Sequence, residues 1–367
     1  MDATTIATYE HSADRWIVAR APRATDVARA LADRVGEGDW RADLGCGPGW
    51  HVPHLGEGGP VLALDATWAM ARRVREFAPG TPVVVGDLEA LPVRAGALAG
   101  AWAKASYQHL AMERLPLALA DLHRAMRVGA PATLFVTSDR RAGVPWDDPL
   151  GPRYFAYWPR ERLHDVVQGA GFTVEAIEDD GIEWLTVHAL RERTLADIVG
   201  PELRLLIVGL NPSLYAADHG VGFARPGNRF WPALLASGLA SRDRDPLHAC
   251  AVHGIGFSDL VKRATPRADA LARDEYIAGA ARVARLVEWL APRAVCFAGL
   301  SGYRAAIDRR ATTGWQREPF GGCPAYVMPN PSGLNAHTDV ADLVTHLQAA
   351  AAPKPPATGG QPRDIGS

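Results

Sequence analysis

Short apolar runs bounded by glycine, proline or aspartate recur along the chain at 40–44, 60–65, 82–86, 98–103 and 131–137. Runs of this length read as buried strands, and the longer helical periodicity at 110–127 reads as a helix between two of them. Strands and helices alternating in this way predict βαβ units and a parallel sheet. A second series begins at 203–208, with strands predicted at 249–253, 294–298 and 325–328 and helical periodicity at 276–291 and 339–350. It predicts a smaller, four-stranded parallel sheet. Residues 194–202, ending on Glu202 after Gly200-Pro201, read as a short helical lead-in, which puts a boundary near 193. After Ala351 the run Ala-Pro-Lys-Pro-Pro-Ala-Thr-Gly-Gly-Gln-Pro lacks the apolar content to order itself and predicts a disordered tail, 351–367. The expected architecture is α/β, with domains at 1–193 and 194–350.

A length of 367 residues suits two domains, since single cores rarely grow past about 250 residues. Hydrophobic residues at 48% and charged residues at 22% exclude a disordered or collagen-like chain, and no stretch reads as a membrane span. Residues 1–5 carry no basic stretch followed by an apolar run, so no leader is expected and the cytosol is the expected compartment. Cys46, Cys250, Cys296 and Cys323 form no C-x-x-C pair; they read as reduced core thiols, and no metal site is expected. The net charge of -2 hides an asymmetry, about -5 over 1–193 against +2 over 194–350, which makes the second half the better candidate for meeting a polyanion.

The run Asp43-Leu-Gly-Cys-Gly-Pro-Gly49 places three alternate glycines, Gly45, Gly47 and Gly49, after a strand, where the backbone can approach a nucleoside closely. Asp65 ends the next strand, placed to accept both ribose hydroxyls, and Asp87-Leu88 ends the third, with Asp87 able to accept from an adenine amino group. In this order the motifs resemble the class I S-adenosylmethionine-dependent methyltransferases over about the first 190 residues. The resemblance implies a Rossmann-like sheet, S-adenosylmethionine as cofactor, and cofactor contacts from Asp43, Gly45, Gly47, Gly49, Asp65, Asp87 and Leu88. An NAD-binding Rossmann domain is the competing reading, but the D-x-G-x-G-x-G spacing departs from G-x-G-x-x-G. The methyl acceptor is not legible. The run 103–109, Ala-Lys-Ala-Ser-Tyr-Gln-His, lacks the Asp/Asn-Pro-Pro-aromatic loop of DNA amino-methyltransferases; His109 reads as a structural histidine or a general base.

Further along stand Gly209-Leu-Asn-Pro-Ser213, Gly222-Phe-Ala-Arg-Pro-Gly-Asn-Arg-Phe-Trp231, Gly254-Ile-Gly-Phe-Ser-Asp-Leu-Val-Lys-Arg263 and Met328-Pro-Asn-Pro-Ser-Gly-Leu334. Together they resemble the mismatch-specific uracil and thymine DNA glycosylases, over 194–350. The resemblance implies a small α/β/α uracil-DNA glycosylase fold and double-stranded DNA with a damaged or mismatched base as partner. It implies Asn211 as the catalytic residue orienting water, and Leu210, Phe223 and Asn330 around the base. Leu334 would be the wedge that fills the gap left by a flipped nucleotide, with Ser332 and Gly333 before it and Asn335 and His337 after it able to meet DNA. Arg225, Asn228, Lys262 and Arg263 are the candidates for phosphate contacts.

An amide has no useful basicity, so a water placed by Asn211 is only weakly activated and slow turnover is expected. Ser213 stands where the family usually has glycine, and Asp259 where its members differ. The Asn330-Pro-Ser-Gly run is nearer the uracil-preferring members, which implies uracil opposite guanine, etheno-cytosine as a further substrate and thymine weakly. No cofactor is expected for the glycosylase step. The other reading left open is a methyltransferase acting on a small molecule, nucleoside or RNA, with the second domain as a nucleic-acid tether.

Overall fold

The central strand of the first sheet, β1 (Arg41–Leu44), is buried along its whole length. Its Arg41, 1% exposed, is tolerated because the guanidinium donates to the carbonyls of Asp39, Ala32, Val35 and Glu57. Around it lie β2 (Val61–Asp65), β3 (Val83–Val85), β4 (Gly100–Lys104), β5 (Pro131–Thr137), β6 (Phe172–Asp179) and β7 (Trp184–Arg191) in the order β3-β2-β1-β4-β5-β7-β6. All pairings are parallel except those of β7, which runs antiparallel to β5 and β6. This is a Rossmann-like sheet with an antiparallel final strand pair, the architecture that the resemblance implies. The computed structural model describes residues 1–143, 150–267, 270–333, 335 and 337–354.

The second sheet, in the order β11-β12-β10-β8-β9, contains β8 (Leu205–Gly209), β9 (Ile255–Asp259), β10 (Val295–Ala298), β11 (Gly314–Trp315) and β12 (Ala325–Met328). Four strands are parallel, and the two-residue β11 adds an antiparallel edge to the four expected. One hydrophobic cluster packs the helix Arg273–Leu290 on one face, and another packs the helices Phe230–Ala236 and Val340–Ala351 on the other.

Two local expectations are corrected. Residues 249–253 belong to the helix Pro246–His253, and the strand follows it. Asp245 caps that helix by accepting from the N–H of His248, Pro246 stands in its first turn, and Gly254 closes it in the left-handed region. Residues 194–202 form no helix. Instead Ile198 and Phe257 exchange backbone hydrogen bonds of 2.9 and 2.8 Å, satisfying part of the β9 edge. At the other end, the last helix extends to Ala351 and Lys354 Nζ donates to the Gln316 carbonyl at 2.8 Å; the rest of the expected tail lies outside the described residues.

Candidate functional sites

In the first domain the glycine turn follows β1 because nothing larger fits. A Cβ on Gly45 would lie 2.2 Å from Ser106 Cβ, and Gly45, Gly47 and Gly49 all take positive φ. The turn is held by Asp65, whose carboxylate accepts from Gly47 N–H at 2.9 Å and from the N–H and hydroxyl of Thr67 at 2.9 and 2.8 Å. Gly45, Gly47, Asp65 and Leu88 line a cavity of about 690 Å³, with Trp16, Trp50 and Trp184 among its aromatic walls. Behind the turn Asp43 is 1% exposed and its Oδ2 has no hydrogen-bond partner among the described residues; burial, with Asp65 nearby, pushes its carboxyl up to about 8. A glycine cradle, an oriented carboxylate and a buried carboxyl beside a large cavity fit a cationic nucleoside cofactor.

The expected adenine acceptor, Asp87, is placed differently. Its carboxylate accepts from the Met1 amine at 3.2 Å and from Glu89 N–H at 3.0 Å, because the start of the chain crosses the end of β3; Leu88 is the cavity-lining residue there. Asp43 and Gly49 are not on the cavity wall, and a Cβ on Gly49 would meet Val74 at 3.0 Å.

In the second domain the carboxyl ends of four strands bring Gly209-Leu210-Asn211, Asp259, Gly299 and Asn330 into one cleft rim. Asn211 is fixed by its amide N–H groups, which donate to Thr265 Oγ1 at 2.8 Å and to the carbonyls of Arg263 and Pro212 at 3.0 and 3.1 Å. Its Oδ1 has no protein partner among the described residues, so the acceptor side of the amide is available to a water. Thr265, which the sequence reading passed over, also donates its N–H to the Pro212 carbonyl.

Phe223 is stacked on Phe230, with centroids 4.2 Å apart, and its Cζ lies 3.4 Å from where a Gly209 Cβ would be. It takes a φ of 58°, a costly conformation for a bulky residue, which sets the ring over the end of β8. Leu210 packs against Gly302, and Asn330 Oδ1 accepts from Ser332 N–H, so Asn330 holds the loop after β12. Asp259 is a further site residue. Its carboxyl lies against Gly209, where a Cβ would meet Oδ1 at 2.3 Å, and burial pushes it up to about 6. Ser213 caps the helix Leu214–His219 by accepting from Ala216 N–H, which accounts for a hydroxyl at this position.

The expected DNA contacts divide. Arg225 and His337 are exposed, and Arg263 is half-exposed while paired with Glu275 at 2.7 Å. Asn228 caps Phe230 through its Oδ1. Lys262 is corrected: its ammonium is buried 2.9 Å from Asp197, which also binds Arg282 at 2.6 Å and Ser258 at 2.8 Å, so it balances a buried charge rather than meeting phosphate. Ser332 and Gly333 sit beside the 225–228 loop, a Cβ on Gly333 being 2.5 Å from the Gly227 carbonyl; Leu334 lies outside the described residues. Arg229, which the sequence motifs do not single out, ties the two loops together by donating to the carbonyls of Gly333, Asn335 and Thr338.

The sequence model of the uracil DNA glycosylase superfamily matches residues 196–350, and a methyltransferase domain model matches residues 42–129. The chain thus carries a methyltransferase-domain match in its first half and a uracil DNA glycosylase superfamily match in its second. Among solved structures it is similar to a chain of the complex between the Haloferax volcanii Trm112 methyltransferase activator and a methyltransferase, at 17% identity and a TM-score of 0.45, covering 51% of this chain and 98% of that one. It is also similar to an S-adenosylmethionine-dependent methyltransferase from Mesorhizobium loti, at 21% identity and a TM-score of 0.39, over 45% of this chain and 96% of that one. A third is the Burkholderia thailandensis 1,6-didemethyltoxoflavin-N1-methyltransferase with bound 1,6-didemethyltoxoflavin and S-adenosylhomocysteine, at 20% identity and a TM-score of 0.41, over 51% and 85%. Among the described residues no helix of the chain is long and apolar enough to cross a membrane.

Proposed function

We propose that the glycosylase-superfamily domain, residues 194–350, removes uracil from G·U mismatches in duplex DNA, with etheno-cytosine as a further substrate and thymine a poor one. The observation that carries this reading is the fixed amide of Asn211: both N–H groups are committed to protein acceptors, leaving Oδ1 to orient a water. The N-glycosidic bond breaks with its electron pair leaving on the base as an anion, the water oxygen bonds to the sugar carbon and loses a proton to bulk water, and the released base takes up a proton from solvent. Backbone N–H groups of the 210–223 loop would stabilise that anion, with Phe223 on the base face and Leu210 and Asn330 at its edges. Arg225, Asn228, Arg263, Ser332, Gly333, Leu334 and His337 are the proposed DNA-facing group. Lys262, the domain's lone lysine, is committed to Asp197, which supports a water-driven hydrolysis over an amine-driven strand cleavage. The glycosylase step uses no cofactor. Release of labelled uracil from a G·U duplex, absent in Asn211→Ala, tests this reading.

The first domain, residues 1–193, is proposed to bind S-adenosylmethionine through Gly45, Gly47, Asp65 and Leu88, supported by Asp43, Gly49 and Asp87. When bound, that cofactor supplies an electrophilic methyl group. The chain's own contribution is to hold the nucleoside, exclude water behind Trp16 and Trp50, stacked at 4.9 Å, and present an acceptor. A cytoplasmic location belongs to the same proposal. Stabilisation by S-adenosylhomocysteine tests the cofactor site.

A further inference from the structure

Beyond the glycine turn, the cavity of the first domain reaches residues that cofactor binding does not use. His109, 2% exposed, has Nδ1 2.7 Å from the Tyr154 carbonyl oxygen. A carbonyl only accepts, so Nδ1 carries the proton and Nε2 of the neutral ring is an acceptor. Nε2 lies 3.1 Å from Tyr9 Oη, which directs the phenol proton at the ring. Arg153 Nη1 donates to the same Oη at 2.5 Å, and its guanidinium stands 5.0 Å over the Tyr9 ring. A buried histidine needs only one partner to be satisfied. Here three separate segments, the helix Ala3–Ala19, the turn Tyr107–His109 and the stretch before the helix Arg160–Gly169, build a path from Oη to Nε2 with a cation beside the phenol oxygen.

Tyr9, His109 and Arg153 line the cavity together with Gly45 and Asp65. Apart from Asp65, which is engaged at the glycine turn, the remaining charged lining is largely cationic: Arg20, Arg23 and Lys104 against Glu183. Lys104 lies 5.6 Å from the Trp184 ring, and its ammonium is destabilised by burial and by Arg23, a tension that an anionic ligand would relieve. Phe155 and Trp184 offer aromatic walls.

We propose that Tyr9 is the proton-accepting catalytic residue of methyl transfer, with His109 positioning it and receiving its proton, and that the acceptor is a small aromatic acid bearing an ionisable O–H, its carboxylate facing Arg23 and Lys104. This rests on the methyltransferase reading of the same site. The acceptor's proton passes to Tyr9 Oη as Tyr9's own proton passes to His109 Nε2. The freed electron pair forms the bond to the methyl carbon of a sulfonium donor, the carbon–sulfur pair returns to sulfur, and the imidazolium releases its proton to solvent. Asp2, at the start of the Tyr9 helix, is the nearby acidic group on that side.

The test uses the full chain saturated with S-adenosylhomocysteine. Calorimetric titration with 2-, 3- and 4-hydroxybenzoate and their uncharged amides reads affinity, and the ultraviolet phenolate band reads ionisation. At least one hydroxybenzoate is expected to bind tenfold or more tightly than its amide, with a phenolate band at a pH at least one unit below that of the free acid. Tyr9→Phe and His109→Gln are expected to keep S-adenosylhomocysteine affinity, which shows that they fold, and to lose the phenolate shift; Arg23→Gln is expected to lose the preference for acid over amide. The proposal is overturned if S-adenosylhomocysteine binds but no hydroxybenzoate outbinds its amide, or if the phenolate shift survives both variants. Methyl transfer to a DNA or RNA oligomer that is indifferent to Tyr9→Phe would also overturn it. No binding of S-adenosylhomocysteine would overturn the methyltransferase reading itself.

Discussion

In the proposed reaction Asn211 acts through its orientation, and that orientation is held by Thr265, whose hydroxyl accepts from the amide at 2.8 Å. Replacing Thr265 by valine keeps the shape and removes the acceptor, so single-turnover base release is expected to fall about tenfold while duplex binding is unchanged, with serine restoring the rate. Asp197 shows a different dependence. Burial alone would raise its carboxyl, but Arg282 and Lys262 hold it below the usual carboxylate range, so its contribution is present at neutral pH and lost as the solution is acidified through its folded-state value. Asp197→Ala would leave two buried cations facing each other, and denaturant titration is expected to register a loss of about 3–5 kcal/mol. Asp43 has the opposite sign. Its carboxyl is raised, so the unfolded chain gives up this proton first and stability falls as pH rises from roughly 4 toward 8, by at most about 1.4 kcal/mol per pH unit. Asp43→Asn is therefore expected to gain stability relative to the parent chain between pH 5 and pH 8, measured by the same titration.

At the scale of elements, the strands around both sites were legible because central parallel strands are buried on both faces and read as short apolar runs. The glycines at 45, 47 and 49 and the Asn-Pro turns at 211 and 330 could be placed for the same reason: each follows such a run. Residues 249–253 misled because Ala-Cys-Ala-Val is apolar in either conformation; the deciding signals were Asp245-Pro246 before it and Gly254 after it. The tertiary roles were not legible. Nothing in the order Val-Lys-Arg marks Lys262 as the partner of Asp197, 65 residues earlier, and nothing near Arg229 announces that it bonds a loop more than a hundred residues away. That loop linkage has a consequence. Arg229→Ala removes donors to three carbonyls around residues 333–338, and the loop is expected to become a site of faster backbone hydrogen exchange, with weaker duplex binding, while the rest of the domain keeps its protection.

At the scale of the molecule, the two domains meet, through the helices Arg160–Gly169 and Arg273–Leu290, at a seam that neither sequence pattern reveals. Trp289 of the second domain packs against both cores and lies 6.2 Å edge-on from Trp158 of the first, while Arg285 pairs with Asp165 at 2.6 Å. Gly169 closes the approach: a Cβ there would stand 2.4 Å from Asp197 Oδ2 and 2.9 Å from Arg282 Nη1. Gly169→Ala is expected to cost about 1–3 kcal/mol in denaturant titration, because both neighbours are locked in the buried ion pair and cannot move aside. The seam links the two proposed sites, and the central claim belongs to the second. It is tested most directly by single-turnover release of labelled base from G·U, A·U and G·T duplexes in metal-free buffer, with the parent chain and Asn211→Ala side by side. The account predicts slow release of uracil from G·U, less from the other two, and none with Asn211→Ala. Folded protein that releases no base from any duplex, or an Asn211→Ala variant that releases uracil as fast as the parent, would contradict it.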